Sequence, residues 1–238
     1  MPRKKFATLE VSGLSKSYKE GKTLTPALVE ASFRIFPGTL NILIGPSGAG
    51  KTTLLNILGG MDNADAGSVE VDGKQIIGLS EKELSAYRRD KVGFVFQSYN
   101  LMPNLTALEN VGLATDLKED SIDPSLALEM VGLSHRKKNL PKHLSGGEQQ
   151  RVCIARAIAK NPAILLCDEP TGALDYETGK EILGLLEEMA HTQGKTILIA
   201  THNSALARFG DHLLEIKDGR IVKDQQNGKP RKLKDIVW

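Results

Sequence analysis

The stretch NILIGPSGAGKT, residues 41–52, decides the architecture of the chain. It begins with a short apolar run, which is typical of a strand buried on both faces of a sheet. Gly45 to Thr52 then match the GxxxxGK[ST] pattern of a phosphate-binding loop, and the helical pattern KTTLLNILGGM begins at Lys51. A strand, a glycine-rich turn and a helix in this order predict a nucleoside-phosphate site in an α/β sheet.

The phosphate loop predicts a contact for each part of a triphosphate. Backbone N–H groups converge on phosphate oxygens where no side chain blocks them, and the N-terminus of the following helix favours negative charge. We expect Lys51 to reach the β- and γ-phosphates and the Thr52 hydroxyl to bind Mg²⁺. The predicted cradle comprises Gly45, Pro46, Ser47, Gly48, Ala49, Gly50, Lys51, Thr52 and Thr53.

Three further apolar runs have the same buried character: VGFVF at 92–96, AILLC at 163–167 and TILIA at 196–200. Helical patterns such as GKEILGLLEEMAHT separate some of them, and strand–helix alternation predicts a doubly wound α/β sheet. Three stretches that precede VGFVF in the chain have the alternating or β-branched character of strands: LEVSGLSKSY, ALVEASFRIF and SVEVDGKQI.

Residues from about 98 to 160 interrupt this alternation. NLTALENVGLA, PSLALEMVGL and GEQQRVCIARAIAK are helical patterns with no buried strand among them. We therefore expect a single domain, 1–238, whose core comprises 1–97 and 161–238 and whose helical insert is 98–160. We expect the polar, basic end, KDQQNGKPRKLKDIVW, to be loose, as chain termini often are.

The buried runs end in residues that suit phosphate chemistry. Asp168 and Glu169 follow AILLC, Gln97 follows VGFVF, and His202 comes just after TILIA. Carboxyl ends of parallel strands meet at one edge, where open α/β sheets bind ligands. We expect Asp168 to hold Mg²⁺, Glu169 to polarise the attacking water, Gln97 to ligate Mg²⁺ or orient water, and His202 to contact the γ-phosphate. An isolated Asp-Glu pair or strand-end His more often has a structural role; the shared edge favours the functional interpretation.

A second candidate anion site is LSGGE, residues 144–148, directly before the helical pattern EQQRVCIARAIAK. Ser145 suits a helix N-cap, and Gly146 and Gly147 expose backbone N–H groups at a helix N-terminus. A plain capped helix explains the serine but not the glycine pair. Because one triphosphate saturates the first cradle, we expect this second site to contact a nucleotide held by another copy of the chain.

Six motifs in order resemble the nucleotide-binding domains of ABC transporters. GPSGAGKT, Gln97, LSGGE, ILLCDE, Ala173-Leu174-Asp175 and His202 are similar to the Walker A, Q-loop, signature, Walker B, D-loop and H-switch motifs. The signature ends in Glu148 rather than the commoner Gln, and Cys167 replaces the usual aliphatic residue of Walker B.

The resemblance covers about residues 6–223 and implies a P-loop NTPase (RecA-like) core with an N-terminal antiparallel β-subdomain and an inserted α-helical subdomain. It implies a head-to-tail dimer in which two ATP molecules lie between Walker A of one subunit and the signature of the other. It also implies that Glu169 is the general base, that Tyr18 stacks on adenine and that Asp175 belongs to the nucleotide contacts.

FVFQSYNLMPNLTALENV and DEPTGALD are most similar to the MacB/LolD-like branch. This branch implies a membrane permease of the mechanotransmission type, docked near Gln97–Leu105. Leu101, Met102 and Leu105 are expected to be exposed there, with core packing as the alternative interpretation. It implies export of, or resistance to, antimicrobial peptides or macrolides, with a periplasmic or extracellular adaptor reached through the permease. Lipoprotein release and cell division are the alternatives.

Composition limits the other classes of function. The net charge is +2, from 31 basic and 29 acidic residues, which does not favour nucleic acid as a partner. No apolar run approaches the roughly 20 residues of a membrane span, and Cys153 and Cys167 lie in apolar runs that suit a reducing compartment. We expect a cytoplasmic protein, peripheral on the inner face of the membrane through the permease. A P-loop kinase or GTPase would lack LSGGE.

Overall fold

The computed structural model describes residues 7–236 except 22, 117 and 119. Its smaller sheet is antiparallel, with strand order β2-β1-β4-β5. β1 and β2 pair from Leu9 opposite Ile35 to Tyr18 opposite Thr25, so β1 runs from the domain core to the predicted adenine contact. The strands are β1 (Leu9–Glu20), β2 (Thr23–Ile35), β4 (Ala66–Val71) and β5 (Lys74–Gln75).

The larger sheet is parallel except at one edge. Its order is β10-β9-β3-β8-β7-β6, and each neighbouring pair from β9 to β6 is parallel. The four predicted runs are therefore neighbours in one parallel sheet, as expected. The strands are β3 (Leu40–Ile44), β6 (Val92–Val95), β7 (Ile164–Asp168), β8 (Thr196–Thr201), β9 (His212–Lys217) and β10 (Arg220–Gln226).

Within the described residues, six α-helices pack on these sheets or on one another. They are α1 (Lys51–Leu58), α2 (Glu81–Asp90), α3 (Ala107–Thr115), α4 (Pro124–Met130), α5 (Gly146–Ala159) and α6 (Tyr176–His191). Capping boxes begin α2, α3 and α5, where a Ser or Thr and a Glu three residues on exchange hydrogen bonds. Among the described helices, none is both long and apolar enough to cross a bilayer.

The strand β7 is apolar from Ile164 to Cys167 because both faces of the sheet are covered there. In β7, Leu165 and Cys167 join a core with the helices α3 to α6, whereas Ile164 and Leu166 join the core around α1 and the smaller sheet. Alternate residues of a strand point to opposite faces, so a strand covered twice loses its polar alternation. This confirms the predicted α/β core with an N-terminal antiparallel sheet.

The helical insert lies between β6 and β7 in the chain, as predicted. α3, α4 and α5 pack on one another, and α5 also packs on β6 and α6. One continuous apolar cluster joins the insert to the sheet. Division of the chain at residues 97 and 161 stays a prediction.

The expectation of a loose C-terminal end is wrong for the part of the tail that the structure describes. β10 continues to Gln226, and Ile236 is buried in the core against α6, with 2% of its surface exposed. Leu233 packs on the same core, and the Tyr176 hydroxyl donates a hydrogen bond to the Ile236 carbonyl at 3.1 Å. Backbone hydrogen bonds also hold this basic segment, from the Asn227 N–H to the Asp211 carbonyl and from the Arg231 N–H to the Arg208 carbonyl, both at 2.7 Å. Residues 237 and 238 lie outside the described residues.

Candidate active site

The phosphate loop leaves the end of β3, inside the parallel part of the sheet, and enters α1. Gly50, directly before α1, has a φ of 102°, in the left-handed region that favours glycine. A Cβ there would overlap the carbonyl oxygen of Ala27 on β2. The loop can therefore turn tightly beneath the smaller sheet only with glycine at this position.

The Lys51 ammonium group lies over the loop and is almost fully buried. Its Nζ donates hydrogen bonds to the carbonyl oxygens of Gly45 at 2.7 Å and Pro46 at 3.1 Å. The same Nζ lies 3.9 Å from Oε1 of Glu169. The cation is thus held between the loop and the end of β7, as a contact to phosphate oxygens requires.

The Thr52 hydroxyl donates a hydrogen bond to Oδ2 of Asp168 at 2.9 Å. Burial raises the pKa of Asp168, and the adjacent Glu169 charge raises it further, whereas the Thr52 hydrogen bond and Lys51 lower it. A hydroxyl and a carboxylate are the oxygen ligands that Mg²⁺ prefers, and a dication would offset the crowding of two carboxylates. These residues fit the predicted metal site.

Glu169 and His202 meet at the same edge. His202 Nδ1 lies 2.9 Å from Glu169 Oε1. Glu169 has a φ of 47°, a left-handed conformation that is costly for a non-glycine residue, and its N–H donates to the Ala200 carbonyl at 2.9 Å. The sheet holds this strained backbone in place, and the carboxylate lies beside both Lys51 and His202.

Gln97 follows β6 and lies beside the turn after Glu169. The Gly172 N–H closes this turn by donating to the Glu169 carbonyl. A Cβ added to Gly172 would stand 3.3 Å from Nε2 of Gln97, so the Gln97 side chain lies against the turn. In the segment that follows, Met102 is 54% exposed, but Leu101 and Leu105 are half-buried, and Leu101 packs on the core. The expectation that Leu101 and Leu105 are exposed is therefore wrong.

The signature residues lie at the start of α5. Ser145 Oγ accepts a hydrogen bond from the Glu148 N–H at 3.2 Å, and Glu148 Oε2 accepts one from the Ser145 N–H at 2.8 Å. Arg136 Nε donates to the other carboxylate oxygen of Glu148 at 2.8 Å. The Glu that departs from the family pattern thus completes a capping box and leaves the serine at the helix N-terminus.

The signature also interlocks with the predicted D-loop. Asp175 caps α6 by accepting hydrogen bonds from the N–H of Thr178 at 3.1 Å and from its hydroxyl at 2.7 Å. A Cβ on Gly147 would overlap the methyl carbon of this threonine. Packing therefore explains Gly147, contrary to the argument that a capped helix leaves the glycine pair unexplained. Contact of Ser145, Gly146 and Gly147 with nucleotide stays a prediction.

Tyr18 stands at the far end of β1 and is 40% exposed. Its hydroxyl donates a 2.5 Å hydrogen bond to Oδ2 of Asp62, and Lys16 Nζ lies 5.2 Å from the ring centroid. Burial and the Asp62 carboxylate raise the pKa of the phenol. Sequence reasoning missed Asp62 and Lys16, because neither belongs to a motif. Their role depends on the chain folding back towards β1 after α1.

Comparison with known proteins agrees with this geometry. The family model described as ABC transporter matches residues 28–172. The chain belongs to this family. In a search of solved structures, the chain is similar to the dimeric ATP-binding cassette MJ0796 of Methanocaldococcus jannaschii in a post-hydrolysis state bound to ADP and Pi. The identity is 40%, the TM-score is 0.84, and the match covers 92% of this chain and 98% of the other.

Two curated relatives are longer than this chain. A Mycoplasma pneumoniae protein named as the ABC transporter ATP-binding protein MG065 homolog is 40% identical over 97% of this chain, which spans 50% of that protein. The macrolide export ATP-binding/permease protein MacB of Sodalis glossinidius is 42% identical over 91% of this chain, which spans 34% of it.

The family and the fold class predicted from the sequence are therefore confirmed. The chain is an ABC ATPase domain, and its ligand is ATP, with Mg²⁺ as the metal typical of the family. Geometry brings Lys51, Thr52, Asp168, Glu169 and His202 together at one edge of the parallel sheet. In the same chain, Gly147 of the signature lies against Thr178, whose N–H and hydroxyl donate to Asp175 of the D-loop.

The close packing of Gly147 on Thr178 can be tested by measuring protein stability. Gly147→Ala should lower the free energy of unfolding by about 1–3 kcal/mol, because the new methyl overlaps Thr178, although alanine favours helix. Thr178→Ser removes the obstructing methyl and keeps the hydroxyl that Asp175 accepts. Once that methyl is gone, the nearest atom to the new alanine Cβ is the Cβ of residue 178, at 3.6 Å. Added to Thr178→Ser, Gly147→Ala should therefore cost little in urea unfolding. An equal loss in both backgrounds would contradict the interlock.

Proposed function

We propose that this ABC ATPase domain hydrolyses ATP as a head-to-tail dimer and drives a membrane permease of the MacB/LolD-like branch. The observation that carries the proposal is the meeting of the Lys51 cation, the Thr52–Asp168 pair and the Glu169–His202 pair at one sheet edge. Each group lies where a triphosphate with its metal needs a partner.

Hydrolysis follows from the placement of Glu169. The carboxylate accepts a proton from water, the water oxygen bonds to the γ-phosphorus, and the bond from that phosphorus to the bridging oxygen breaks, giving ADP and phosphate. His202 orients the carboxylate through its 2.9 Å contact, and Lys51 contacts the phosphate oxygens. Thr52, Asp168 and Gln97 would hold Mg²⁺, which would neutralise negative charge on the phosphates.

The dimer is supported by the placement of the two half-sites on different elements of the fold. The signature at Ser145 belongs to α5 and is fixed to α6 through Thr178, whereas the phosphate loop belongs to α1. In the proposal, Ser145 and Gly146 of one copy contact the γ-phosphate that lies on the loop of the other. The solved relative MJ0796 is itself dimeric with ADP and Pi bound, which supports the same arrangement here.

A groove of about 460 Å³ between the sheet and the helical insert is the proposed permease contact. Its apolar lining includes Met61, Leu113 and the stacked rings of Phe94 and Phe96, whose centroids are 4.2 Å apart. Asn100, at the start of the predicted docking segment, also lines it. An apolar groove of this size fits an amphipathic helical segment laid in along its apolar face.

The rim of the groove is basic. Four of its lining residues are cationic: Arg88, Arg89, Arg156 and Lys160. Burial, together with the nearby cations Lys118 and Arg156, lowers the pKa of Lys160 to about 8. Arg88 already pairs with Glu81 and Arg89 with Asp90, so Arg156 and Lys160 are the cations left to a partner's carboxylates. The segment that docks here is therefore proposed to be apolar on one face and acidic where it passes Arg156 and Lys160.

The branch sets the proposed cargo and location. The similarity to MacB, whose name joins macrolide export with a permease, supports export of macrolides or antimicrobial peptides, or resistance to them, with the domain held at the inner face of the membrane. An adaptor outside the membrane would then act through the permease. Lipoprotein release or cell division is the alternative, and the identity of the co-purifying permease separates the two.

The first test concerns the base. Glu169→Gln keeps the shape of the side chain but cannot accept the proton, so kcat for ATP hydrolysis should fall by about a hundredfold to ten-thousandfold while ATP still binds. Glu188→Gln, at an exposed carboxylate on α6, is the matched control and should turn over normally. An unchanged kcat in the Glu169→Gln protein would contradict the assignment of Glu169 as the general base.

The second test concerns the permease contact. Leu113 and Leu126 are both exposed leucines of the helical insert, but of the two the groove contacts only Leu113. In the parent cells, Leu113→Asp should release the domain from the membrane fraction and leave the ATPase activity of the purified domain intact. Leu126→Asp should stay bound. Equal retention of the two variants would contradict the groove as the contact.

A further inference from the structure

Asp62 lies where the chain folds back after α1 towards β1. Its backbone N–H donates to the Asn56 carbonyl at 3.3 Å, which places the carboxylate beside the end of β1. Oδ2 accepts the Tyr18 hydroxyl at 2.5 Å. Oδ1 accepts Lys16 Nζ at 3.1 Å and the Asn63 N–H at 2.7 Å. One carboxylate thus fixes both the phenol and the cation that lies over the phenol ring.

Thr53 stands in the first turn of α1, next to Thr52 and Lys51 of the predicted phosphate cradle. Its side chain lowers the pKa of the Tyr18 phenol, against the raising effects of burial and Asp62, so the phenol lies close to this turn. The hydrogen bond to Asp62 therefore fixes the Tyr18 ring near the turn of α1 that begins the phosphate cradle.

We propose that Asp62 is a positioning residue for the nucleotide base: by fixing the Tyr18 hydroxyl, it holds the ring at a set place and angle relative to the phosphate loop. This inference rests on the proposed function and on the stacking of Tyr18 on adenine that the family resemblance implies. Asp62 itself contacts Tyr18 and Lys16 and acts on the nucleotide only through the ring.

Positioning matters here because Tyr18 is 40% exposed and lies near the end of a long strand. An exposed ring without an anchor samples several rotamers, and stacking on a base would then have to order it. Ordering one such side chain on binding weakens affinity by about threefold to tenfold. Asp62 orders the ring before ATP arrives.

Long-range electrostatics and positioning predict opposite changes in ATP affinity when the Asp62 carboxylate is removed, so the direction of the change separates them. ATP is a polyanion, so deleting a carboxylate near its site should strengthen binding if only long-range electrostatics mattered. Loss of the Asp62 anchor should instead weaken binding. Asp65 is the matched control, because it is also acidic and near Lys16, at 3.9 Å, but bonds the Ser17 N–H rather than the phenol.

The experiment measures dissociation constants by calorimetry for two ligands, ATP and inorganic tripolyphosphate, both with Mg²⁺. Tripolyphosphate uses the phosphate cradle but has no base. Asp62→Ala should weaken ATP binding about threefold to tenfold and leave tripolyphosphate binding unchanged. Asp65→Asn, which removes a charge and keeps an acceptor for Ser17, should leave ATP binding unchanged or slightly tighter.

Tyr18→Phe tests the same contact from the other side. It keeps the stacking ring and removes the hydroxyl, so it should weaken ATP binding as much as Asp62→Ala does. In the double variant the two losses should not add, because both changes break one hydrogen bond. Equal weakening of ATP and tripolyphosphate by Asp62→Ala would overturn the proposal, since the damage would then lie in the fold or the cradle.

Failure of the inference can be told from failure of the proposed adenine contact. If Tyr18→Ala weakens ATP binding but Asp62→Ala and Tyr18→Phe do not, Tyr18 stacks and Asp62 does not position it. If Tyr18→Ala also leaves ATP binding unchanged, the stacking role itself is wrong, and the inference fails with it.

Discussion

The parallel pairing of β3, β8 and β7 is the constraint on which the site depends. In this register Ile44 lies opposite Thr201, and Asp168 lies opposite Ala200, so the three strands end at nearly the same level. The phosphate loop, Glu169 and His202 follow these ends directly. A shift of one strand by one residue would turn its buried side chains to the other face and move the catalytic groups by about 3.3 Å.

The signature is held in place by contacts between the starts of α5 and α6. The close packing of Gly147 on Thr178 and the capping of α6 by Asp175 tie the start of α5 to the start of α6. α6 is also the helix on which the C-terminal segment docks, through Tyr176 and Ile236. The two half-sites thus belong to two well-anchored parts of the domain. In the proposed head-to-tail dimer, ATP would bind between one such part of each copy.

The amount that could be predicted from the sequence differs between parts of the molecule. The apolar runs and the loop between Gly45 and Thr52 carry their own signals, because a strand buried on both faces and a phosphate-binding turn each restrict the residue types that fit. The parallel order then placed Asp168, Glu169 and His202 together, as predicted.

Other features depend on contacts between residues far apart in the chain. The helix α2 buries little beyond Leu84 and Tyr87, so its apolar pattern was too weak to predict it. Docking of the tail rests on Ile236 meeting α6. The Asp62–Tyr18 bond joins positions 44 residues apart, and nothing in MDNADAG marks the carboxylate as a partner of an aromatic ring. Packing also supplied a reason for Gly147 that local sequence could not.

The most direct measurement of the central claim is a crosslink across the shared site. One chain would carry Ser47→Cys and the other Ser145→Cys, both with Glu169→Gln to slow turnover. The native Cys153 and Cys167 are buried, and burial raises the pKa of both thiols, so they should stay unreactive. With ATP and Mg²⁺, a short bifunctional maleimide should join the two different chains, and neither chain alone should form a crosslinked pair. A crosslink between two copies of the Ser47→Cys chain, or none between the different chains, would contradict the head-to-tail site.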